Sequence, residues 1–364
     1  MSDPRESGLN IFRKLVSLGI WRDVPQSSAA LEDGKIGAGF GFPIIGLEKF
    51  LGYFDRPLNI ANFPSISLTT DFSNAVAFCR YTEKPASDLV ALDGSTDRKY
   101  QERAHKALSF FKSLYDIPGS FHFYIARRRK YRSAKGLGES ASVAAAVARS
   151  VVNCALEGKA SESDVLVSRL ARLVSGSGTR SATGGVSLWL SYPYIVESRC
   201  HAIRLPIEQG KIHYGTFPIP SEIATDDAHR LAESSPFYGR WMMEKFDRMI
   251  EDIDSGFDID LLLKRSQQEM FTLNSVILST GNFIQTPSSL RIIQDLLAFS
   301  KRNEGLYFTA DTGPSIVLLS RDRHLIEEFI SEREEKFLWG NVPGNPPAMK
   351  GLERDALDFF NRNG

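Results

Sequence analysis

Short alternating runs of apolar and polar residues mark the first third of the chain. In the segment SISLTTDFSNAVAFCRY, residues 65–81, apolar and polar side chains alternate over short stretches, as they do in half-buried strands. The segment FHFYIARR, residues 121–128, has the same character. The pattern therefore predicts a strand-rich region over 36–80 and a further strand at 121–128.

Apolar residues that recur every three or four positions predict the helices. Over residues 98–115 this spacing predicts a helix that Pro118 and Gly119 end. An alanine-rich stretch from about residue 140 to residue 156 is a strong helix candidate. Further helices are predicted at 161–174, near 225–253, 258–272 and 288–302, and at 323–334 after a strand–turn–strand unit at 306–320. Strands and helices that alternate with mixed connection lengths favour a two-lobed α+β or α/β enzyme.

Residues 1–35 are expected to form an N-terminal extension. A short amphipathic piece begins it and the polar segment PQSSAALEDGK follows. The start of the chain lacks the basic region and apolar run of a signal peptide. No stretch approaches eighteen uninterrupted apolar residues, so we expect no membrane partner and a cytoplasmic location.

Charge and cysteine content argue against a nucleic-acid-binding protein and against a protein built on disulfides or a cysteine metal site. Lys plus Arg and Asp plus Glu both number 44, so the net charge gives no reason to expect a nucleic-acid partner. The three cysteines are odd in number and widely spaced, which indicates neither a disulfide framework nor a metal site. We expect all three to be buried thiols in a reducing compartment.

A glycine-rich turn, KGLGESAS at 135–142, precedes the alanine-rich helix. The free N–H groups at a helix start bind anions, and Gly138 allows close backbone approach. Lys135, Ser140 and Ser142 would add donors, and six of the nine residues at 127–135 are Arg or Lys. Glu139 counts against a polyphosphate there, and a plain tight turn is equally compatible with the pattern. The basic run could instead bind nucleic acid, which the neutral chain disfavours.

Three other segments carry candidate chemistry, each with an ordinary structural explanation beside it. In SGSGTRS, 175–181, Arg180 offers a planar fork for a carboxylate or phosphate among small hydroxyl donors, although such a run could be a flexible loop. Asp311 lies in TADTGPS, 309–315, where an aspartate usually caps a turn. Lys49 lies among apolar residues at 41–59 and could simply extend its ammonium group to water.

Taken in order, these segments resemble the motifs of the diphosphomevalonate decarboxylase family of the GHMP kinase superfamily. GFPIIGLEKFLGY is similar to the family's first strand, and FPSISLTTD to its serine-rich strand. GLGESAS resembles the phosphate loop, SGSGTRSATGG the arginine motif, and ADTGPS the catalytic aspartate turn. AESSPFY, at 232–238, resembles a family helix start. The likeness covers about residues 36–345.

The resemblance implies a fold and a division of the chain. The expected fold is α+β and GHMP-kinase-like, with an N-terminal lobe of the ribosomal-S5 type and a ferredoxin-like C-terminal lobe. After the extension at 1–35, the N-terminal lobe with the phosphate loop would span 36–205 and the C-terminal lobe 206–364.

The resemblance also implies the site. Lys49 falls on the first lysine of the family's strand motif, Arg180 on the arginine that binds the substrate carboxylate, and Asp311 on the catalytic aspartate. The expected substrate- and phosphate-binding residues are Ser175, Ser177, Ser140, Gly138, Ser142, Lys135, Tyr53 and Ser65. Asp311 is expected to pair with Lys49, and no metal ligand is expected.

Departures from the family motifs concern the phosphate contacts. The tyrosine and second lysine that meet the diphosphate in the family are Phe50 and Tyr53 here. The first serine of the phosphate loop is Glu139, and an asparagine- and proline-containing segment before it is replaced by residues 128–133. Fewer diphosphate contacts suggest a 5-monophosphate group on the substrate, and a carboxylate in the loop suggests weakened or lost ATP binding.

These features favour one branch of the family, the archaeal mevalonate 3,5-bisphosphate decarboxylases. The resemblance then implies that a phosphorylated mevalonate is converted to isopentenyl phosphate, CO2 and phosphate in isoprenoid biosynthesis, without a cofactor. The alternatives are a decarboxylase of phosphomevalonate or diphosphomevalonate that uses Mg-ATP, and a mevalonate 3-kinase. A more distant alternative is a GHMP-like scaffold that binds RNA or a protein. Family analogy suggests a homodimer.

Overall fold

The computed structural model describes residues 3–84, 87–96, 98–129, 137–157, 163–220, 225–344 and 349–363. Its helices are α1 (Pro4–Ser17), α2 (Arg98–Tyr115), α3 (Glu139–Ala155), α4 (Asp164–Val174), α5 (Gly178–Thr183), α6 (Thr225–Ser234), α7 (Tyr238–Asp254), α8 (Ile259–Leu278), α9 (Pro287–Ser300), α10 (Arg323–Ser331) and α11 (Lys350–Asn363).

The strands are β1 (Ile36–Gly41), β2 (Ile44–Glu48), β3 (Tyr53–Asp55), β4 (Ile60–Ala61), β5 (Ser65–Thr69), β6 (Ser73–Thr82), β7 (Leu89–Leu92), β8 (Ser95–Thr96), β9 (Ser120–Arg129), β10 (Val186–Trp189), β11 (Ala202–Arg204), β12 (His213–Phe217), β13 (Leu306–Thr309), β14 (Ile316–Ser320) and β15 (Leu338–Trp339). Largely antiparallel sheets with helices packed against them confirm the expected α+β class.

The first sheet has the order β1-β6-β9-β7-β8 and is antiparallel except between β7 and β9. Helix α3 packs directly on β1 and β6. The contact is close because β1 presents glycines: a Cβ atom at Gly39 would lie 2.3 Å from the carbonyl oxygen of Ala146. Small residues on both elements therefore bring the start of α3 against the sheet.

The second sheet, β11-β10-β5-β2, carries part of the candidate site. Side chains alternate along β5, so that Ile66 and Leu68 enter the apolar core while Ser65 and Ser67 point to the other face. All four side chains are fully buried. This strand therefore presents a row of hydroxyl groups toward α5.

The third sheet, β13-β14-β12-β15, brings in the C-terminal part of the chain. Asp311 lies in the turn that joins β13 to β14. Helix α8 packs against both β13 and β2, which belong to different sheets. The turn after β13 and the end of β2 therefore meet beside one helix.

The predicted extension docks on the body of the protein through α1. Ile11 and Leu15 on one face of this helix are fully buried, whereas Leu18, just after it, is 53% exposed. Its N-cap is Asp3, whose carboxylate accepts the N–H of Arg5. Helix α1 packs against α7, so apolar burial holds the segment in place.

One local prediction was wrong. The helix expected over 225–253 is two helices, α6 and α7, because Pro236 lacks a backbone N–H and cannot continue a helix. For the segment SGSGTRS a flexible loop was the structural alternative, and the structure instead forms there the start of the short helix α5, which carries Arg180. The helix at 98–115 and the strand at 121–128 are confirmed, the latter as part of β9.

Cys79, Cys154 and Cys200 are buried free thiols, as predicted. Within the described ranges, no helix is both long and apolar enough to cross a membrane. The division of the chain after residue 205 stays a prediction, and one apolar cluster contains residues from both sides of it.

Candidate active site

Lys49 and Asp311 form a partly buried ion pair although 262 positions separate them in the chain. The Lys49 Nζ donates to Asp311 Oδ1 at 2.7 Å and to the carbonyl oxygen of Gly46 at 2.7 Å. The backbone N–H of Gly46 donates to the same carboxylate, at 3.2 Å from Oδ1 and 3.3 Å from Oδ2. The Asp311 carboxylate therefore binds a distant strand, not only its own turn, and the predicted pairing with Lys49 is confirmed.

The two members of this pair differ in exposure. The side chain of Lys49 is 2% exposed and that of Asp311 is 24% exposed. Burial lowers the pKa of Lys49, and the negative charge of Asp311 opposes that shift. A ligand that approaches from solvent would thus meet the carboxylate with the ammonium group behind it.

Arg180 reaches the site from α5 and is buried. Its Nη1 donates to Ser65 Oγ at 2.7 Å, and its Cζ lies 5.8 Å from the ring centroids of both Phe50 and Trp189. Burial lowers the pKa of Arg180 to about 10, with Asp311 opposing the shift, so the group stays charged at neutral pH. Its Nε is buried and has no hydrogen-bond partner among the described residues. The fork is therefore held in place with donor capacity left for an anion.

Ser175 and Ser177 lie on the turn that starts α5. Their Oγ atoms are 3.0 Å apart, and Ser177 is the N-cap residue of the helix without a side-chain capping bond. A Cβ atom at Gly176 would lie 3.0 Å from the Oη of Tyr53 and 3.1 Å from Cζ of Phe50. The hydroxyl pair, the Tyr53 phenol and Arg180 therefore belong to one region of the structure.

The start of α3 faces the beginning of β2. Gly138 is the N-cap residue, with φ of 72°, and a Cβ atom there would lie 2.2 Å from the carbonyl oxygen of Ile44. Only glycine fits this left-handed position against the strand. The helix start is thereby placed next to the strand that leads to Lys49.

Two arginines accompany this helix start. Arg127 Nη1 lies 3.6 Å from the carboxylate of Glu139, and Arg103 Nη1 lies 3.5 Å from Ser140 Oγ. Arg127 also donates to the Asp93 carboxylate, at 2.6 and 2.8 Å, so it offsets the negative charge that Glu139 brings into the turn only in part. Sequence reasoning missed Arg103, because its place on α2 carries no local sign of the contact.

For two of the predicted residues, Ser142 and Lys135, the structure adds no support. The Ser142 hydroxyl is fully buried and donates to the carbonyl oxygen of Glu139 in the same helical turn, at 2.7 Å. Lys135 and most of the basic run lie outside the described residues. A ligand-binding role for these two residues stays a prediction.

Side chains from α6 hold Tyr53. The Tyr53 N–H donates to Glu233 Oε1 at 2.8 Å, and the Gly52 N–H donates to His229 Nδ1 at 2.9 Å. The rings of Tyr53 and His229 are stacked with centroids 4.9 Å apart. The sequence motif AESSPFY included Glu233, but nothing in it indicated which strand the glutamate contacts.

The arrangement combines the cationic side chains of Lys49 and Arg180 with the carboxylate of Asp311. Arg180 can bind a planar carboxylate, the α3 start can bind a phosphate, and the Lys49–Asp311 pair lies where charge could develop. Among the described residues, no cluster of His, Cys, Asp or Glu could hold a metal ion. Such a site suits a substrate with several negative charges.

Comparison with solved structures defines the class of the fold. A mevalonate diphosphate decarboxylase from Enterococcus faecalis superposes with a TM-score of 0.72 at 21% identity, over 84% of this chain and 96% of that chain. The Staphylococcus aureus enzyme gives 0.72 at 20% identity, over 85% and 96%. A mevalonate-3-kinase from Thermoplasma acidophilum gives 0.68 at 15% identity, over 85% and 97%. The fold is the GHMP-kinase-like α+β fold, as predicted.

Sequence comparison is more specific. Residues 42–198 match the family model described as the diphosphomevalonate decarboxylase-like N-terminal domain. A curated protein of Thermoplasma acidophilum named mevalonate 3,5-bisphosphate decarboxylase is 45% identical, over 99% of this chain and 89% of its own length. A protein of the same name from Thermoplasma volcanium is 46% identical, over 91% and 89%. The chain belongs to the diphosphomevalonate decarboxylase family and is similar to its mevalonate 3,5-bisphosphate decarboxylases.

Proposed function

We propose that the protein converts mevalonate 3,5-bisphosphate to isopentenyl phosphate, CO2 and inorganic phosphate without ATP. The observation that carries the proposal is the 45% identity, over 99% of the chain, to the Thermoplasma acidophilum protein of that name. The Lys49–Asp311 pair and the buried Arg180 support it. The reaction needs a group that binds the substrate carboxylate and a group that stabilises the positive charge at C3.

The reaction is an elimination. The C3–O bond breaks and phosphate leaves with its electron pair. The bond between C2 and the carboxylate carbon breaks to release CO2, and its electron pair forms the C2=C3 double bond. The protein must align these two bonds and stabilise the positive charge that grows at C3.

Arg180 is proposed to hold the substrate carboxylate. Ser65 accepts from Nη1 and the Phe50 and Trp189 rings flank the guanidinium group, so the fork is pre-organised. Its buried Nε is the donor that a carboxylate would satisfy. Held in this way, the carboxylate stays charged until its C–C bond breaks.

Asp311 is proposed to stand beside C3. The substrate already carries the 3-phosphate, so Asp311 has no hydroxyl proton to remove, and its role is electrostatic. Lys49 and the Gly46 N–H fix the orientation of its carboxylate. Positive charge at C3 is thereby favoured in the transition state.

The phosphates are proposed to bind at two places. The 3-phosphate would meet the start of α3 at Gly138 and Ser140, with Arg103 and the basic residues beside it. The 5-phosphate would meet Tyr53 and the Ser175–Ser177 pair. Lys135 and Ser142 are kept as additional candidates at the first place.

Independence from ATP is part of the proposal. Glu139 occupies the turn at the helix start, and Arg127, 3.6 Å from its carboxylate, is also paired with Asp93. A triphosphate would bring further negative charge to the same turn. A homodimer and a cytoplasmic location stay predictions.

One assay tests the proposal. Purified protein is incubated with mevalonate 3,5-bisphosphate and, separately, with 5-phosphomevalonate, each with and without Mg-ATP, and CO2 is measured. We expect CO2 from the bisphosphate without ATP. CO2 released only from the monophosphate with ATP would instead establish an ATP-dependent decarboxylase, and ADP without CO2 a 3-kinase.

A further inference from the structure

A connected set of largely buried charged side chains lies behind Lys49. The Lys245 Nζ on α7 donates to Glu269 Oε2 at 2.6 Å and to the carboxylate of Glu48. The side chains of all three residues are at most 1% exposed. Arg248 Nη1 donates to Glu269 Oε1 at 2.8 Å. Glu269 therefore lies at the centre of this buried charge network.

Stability alone gives a poor explanation of such a network. Burying an ion costs several kcal/mol, on the order of what its pairing returns, so apolar residues of similar volume often serve as well. The contacts that the network makes with the candidate site say more about its role. Glu269 Oε2 also accepts the backbone N–H of Lys49 at 3.1 Å.

The position of that N–H makes the contact specific. Lys49 lies one residue beyond the last ladder pair of β2, in which Glu48 lies opposite Ile66. Strand β2 is also at the edge of its sheet. Glu269 therefore provides the acceptor for a buried N–H just where the strand ends and the Lys49 side chain turns toward Asp311.

The same face of α8 contacts the strand that leads to Asp311. The Oγ1 of Thr309, the last residue of β13, donates to the carbonyl oxygen of Ser266 at 3.0 Å. Ser266 and Glu269 are three positions apart and so lie on one side of the helix. One helical turn thus fixes both backbone segments that carry the ion pair.

We infer that Glu269 is a positioning residue for the decarboxylation site: it holds the Lys49 backbone and supports its ammonium charge against Asp311. This inference rests on the proposed function. It adds a residue that touches no substrate and comes from a different segment than any of the candidate motifs.

The charged groups around Lys49 determine the direction in which its pKa should change when the Glu269 charge is removed. Burial lowers the pKa of Lys49; Asp311 opposes the shift, Glu269 opposes it further, and Lys245 on α7 favours it. Glu48, Arg248 and Arg180 are further charged groups on adjoining elements. Loss of the Glu269 charge would lower the pKa of Lys49 further, so the ammonium form would be lost at a lower pH.

The experiment compares Glu269→Gln with Glu269→Asp. The glutamine keeps an acceptor oxygen but loses the charge, so kcat should fall about tenfold at neutral pH with little change in KM. The alkaline limb of the pH–kcat profile should move down by roughly one pH unit. The aspartate keeps the charge but is one methylene shorter, so kcat should fall while the alkaline limb stays.

Asp252→Asn is the matched control. This carboxylate is equally buried between α7 and α8 and pairs with Arg265. Its loss should lower the thermal midpoint and leave kcat and the pH profile unchanged. An unshifted alkaline limb in Glu269→Gln, or equal effects of both amide variants on kcat, would overturn the inference. If Glu269→Gln does not fold, an unchanged kcat in Glu269→Asp overturns it.

A second readout separates this inference from the proposed function. If the wild-type protein releases no CO2 from mevalonate 3,5-bisphosphate, the proposed function fails. NMR titration of protein labelled with 13C-lysine then still measures the Lys49 pKa, with Lys49→Met to assign the signal. A Lys49 pKa that is equal in the wild type and in Glu269→Gln would overturn the inference by itself.

Discussion

The Lys49 ammonium group is charged in a place that water hardly reaches. Burial of an unpaired ammonium costs several kcal/mol, on the order of a protein's whole stability. Asp311 and the Gly46 carbonyl oxygen offset this cost at 2.7 Å each. Because burying either charge without the other would cost stability, the two side chains act as one unit. The same contacts hold the Asp311 carboxylate in one orientation.

Asp311→Asn tests this unit at the residue scale. The amide cannot balance the ammonium charge or favour positive charge at C3, so kcat on mevalonate 3,5-bisphosphate should fall by roughly a hundredfold or more. CO2 release at saturating substrate measures it. Asp322→Asn is the control, because Asp322 caps α10 and asparagine caps equally well. Turnover near that of the wild type in Asp311→Asn would rule out the proposed role.

Helix α1 shows how a segment outside the family motifs can still be part of the fold. Its hydrophobic face meets α7, and Trp21, just beyond the helix, packs its ring against Phe12 with centroids 5.2 Å apart. The sequence pattern predicted the amphipathic piece but not what it covers. The surface that receives it comes from residues more than two hundred positions later.

Ile11→Ala tests that docking at the element scale. Removing a fully buried isoleucine side chain should lower the free energy of unfolding by about 2–5 kcal/mol. Urea denaturation measures the change. Val16→Ala is the control, because Val16 lies on the same helix with 48% of its side chain exposed, and the expected change is within about 0.5 kcal/mol. Equal effects of the two substitutions would mean that α1 does not dock as described.

Protonation of one buried histidine, His122, makes the stability of the folded protein depend on pH. This residue lies on β9 opposite Arg80, whose guanidinium Cζ lies 5.5 Å from the Phe360 ring centroid on α11. The His122 side chain is buried, and within the described part of the chain neither ring nitrogen has a hydrogen-bond partner. Burial lowers the pKa of His122, and Arg80 adds to the shift.

The sign of the effect follows by linkage. The pKa in the folded protein is below that in the unfolded chain, about 6.5, so the unfolded state binds the proton more readily. Stability should therefore fall as the pH drops below about 6.5. His122→Leu should reduce the loss in thermal midpoint between pH 7 and pH 5. His213→Leu, at a partly exposed histidine, should leave that loss as in the wild type. An equal loss in His122→Leu and the wild type would contradict this prediction.

Local pattern accounts for much of the fold. The helices at 98–115, near 140–156 and near 288–302, and the strand at 121–128, follow from periodicity, because each has one face toward the core. The break at Pro236 was available in the sequence and was missed, since the apolar spacing continues across it. Helix α5 was hidden because Ser- and Gly-rich segments have low helix propensity and tertiary contacts overrule it.

The sequence by itself determined the residue types and the order of the motifs, and these were enough to place the chain in its family and to name Lys49, Arg180 and Asp311. Only the tertiary structure decided that Gly46 completes the expected Lys49–Asp311 pair, that Ser65 holds Arg180, and that Glu269 lies behind Lys49. The physical reason is that buried charges are stabilised by partners close in space. Those partners come from strands and helices far apart in the chain, so no local spacing records them.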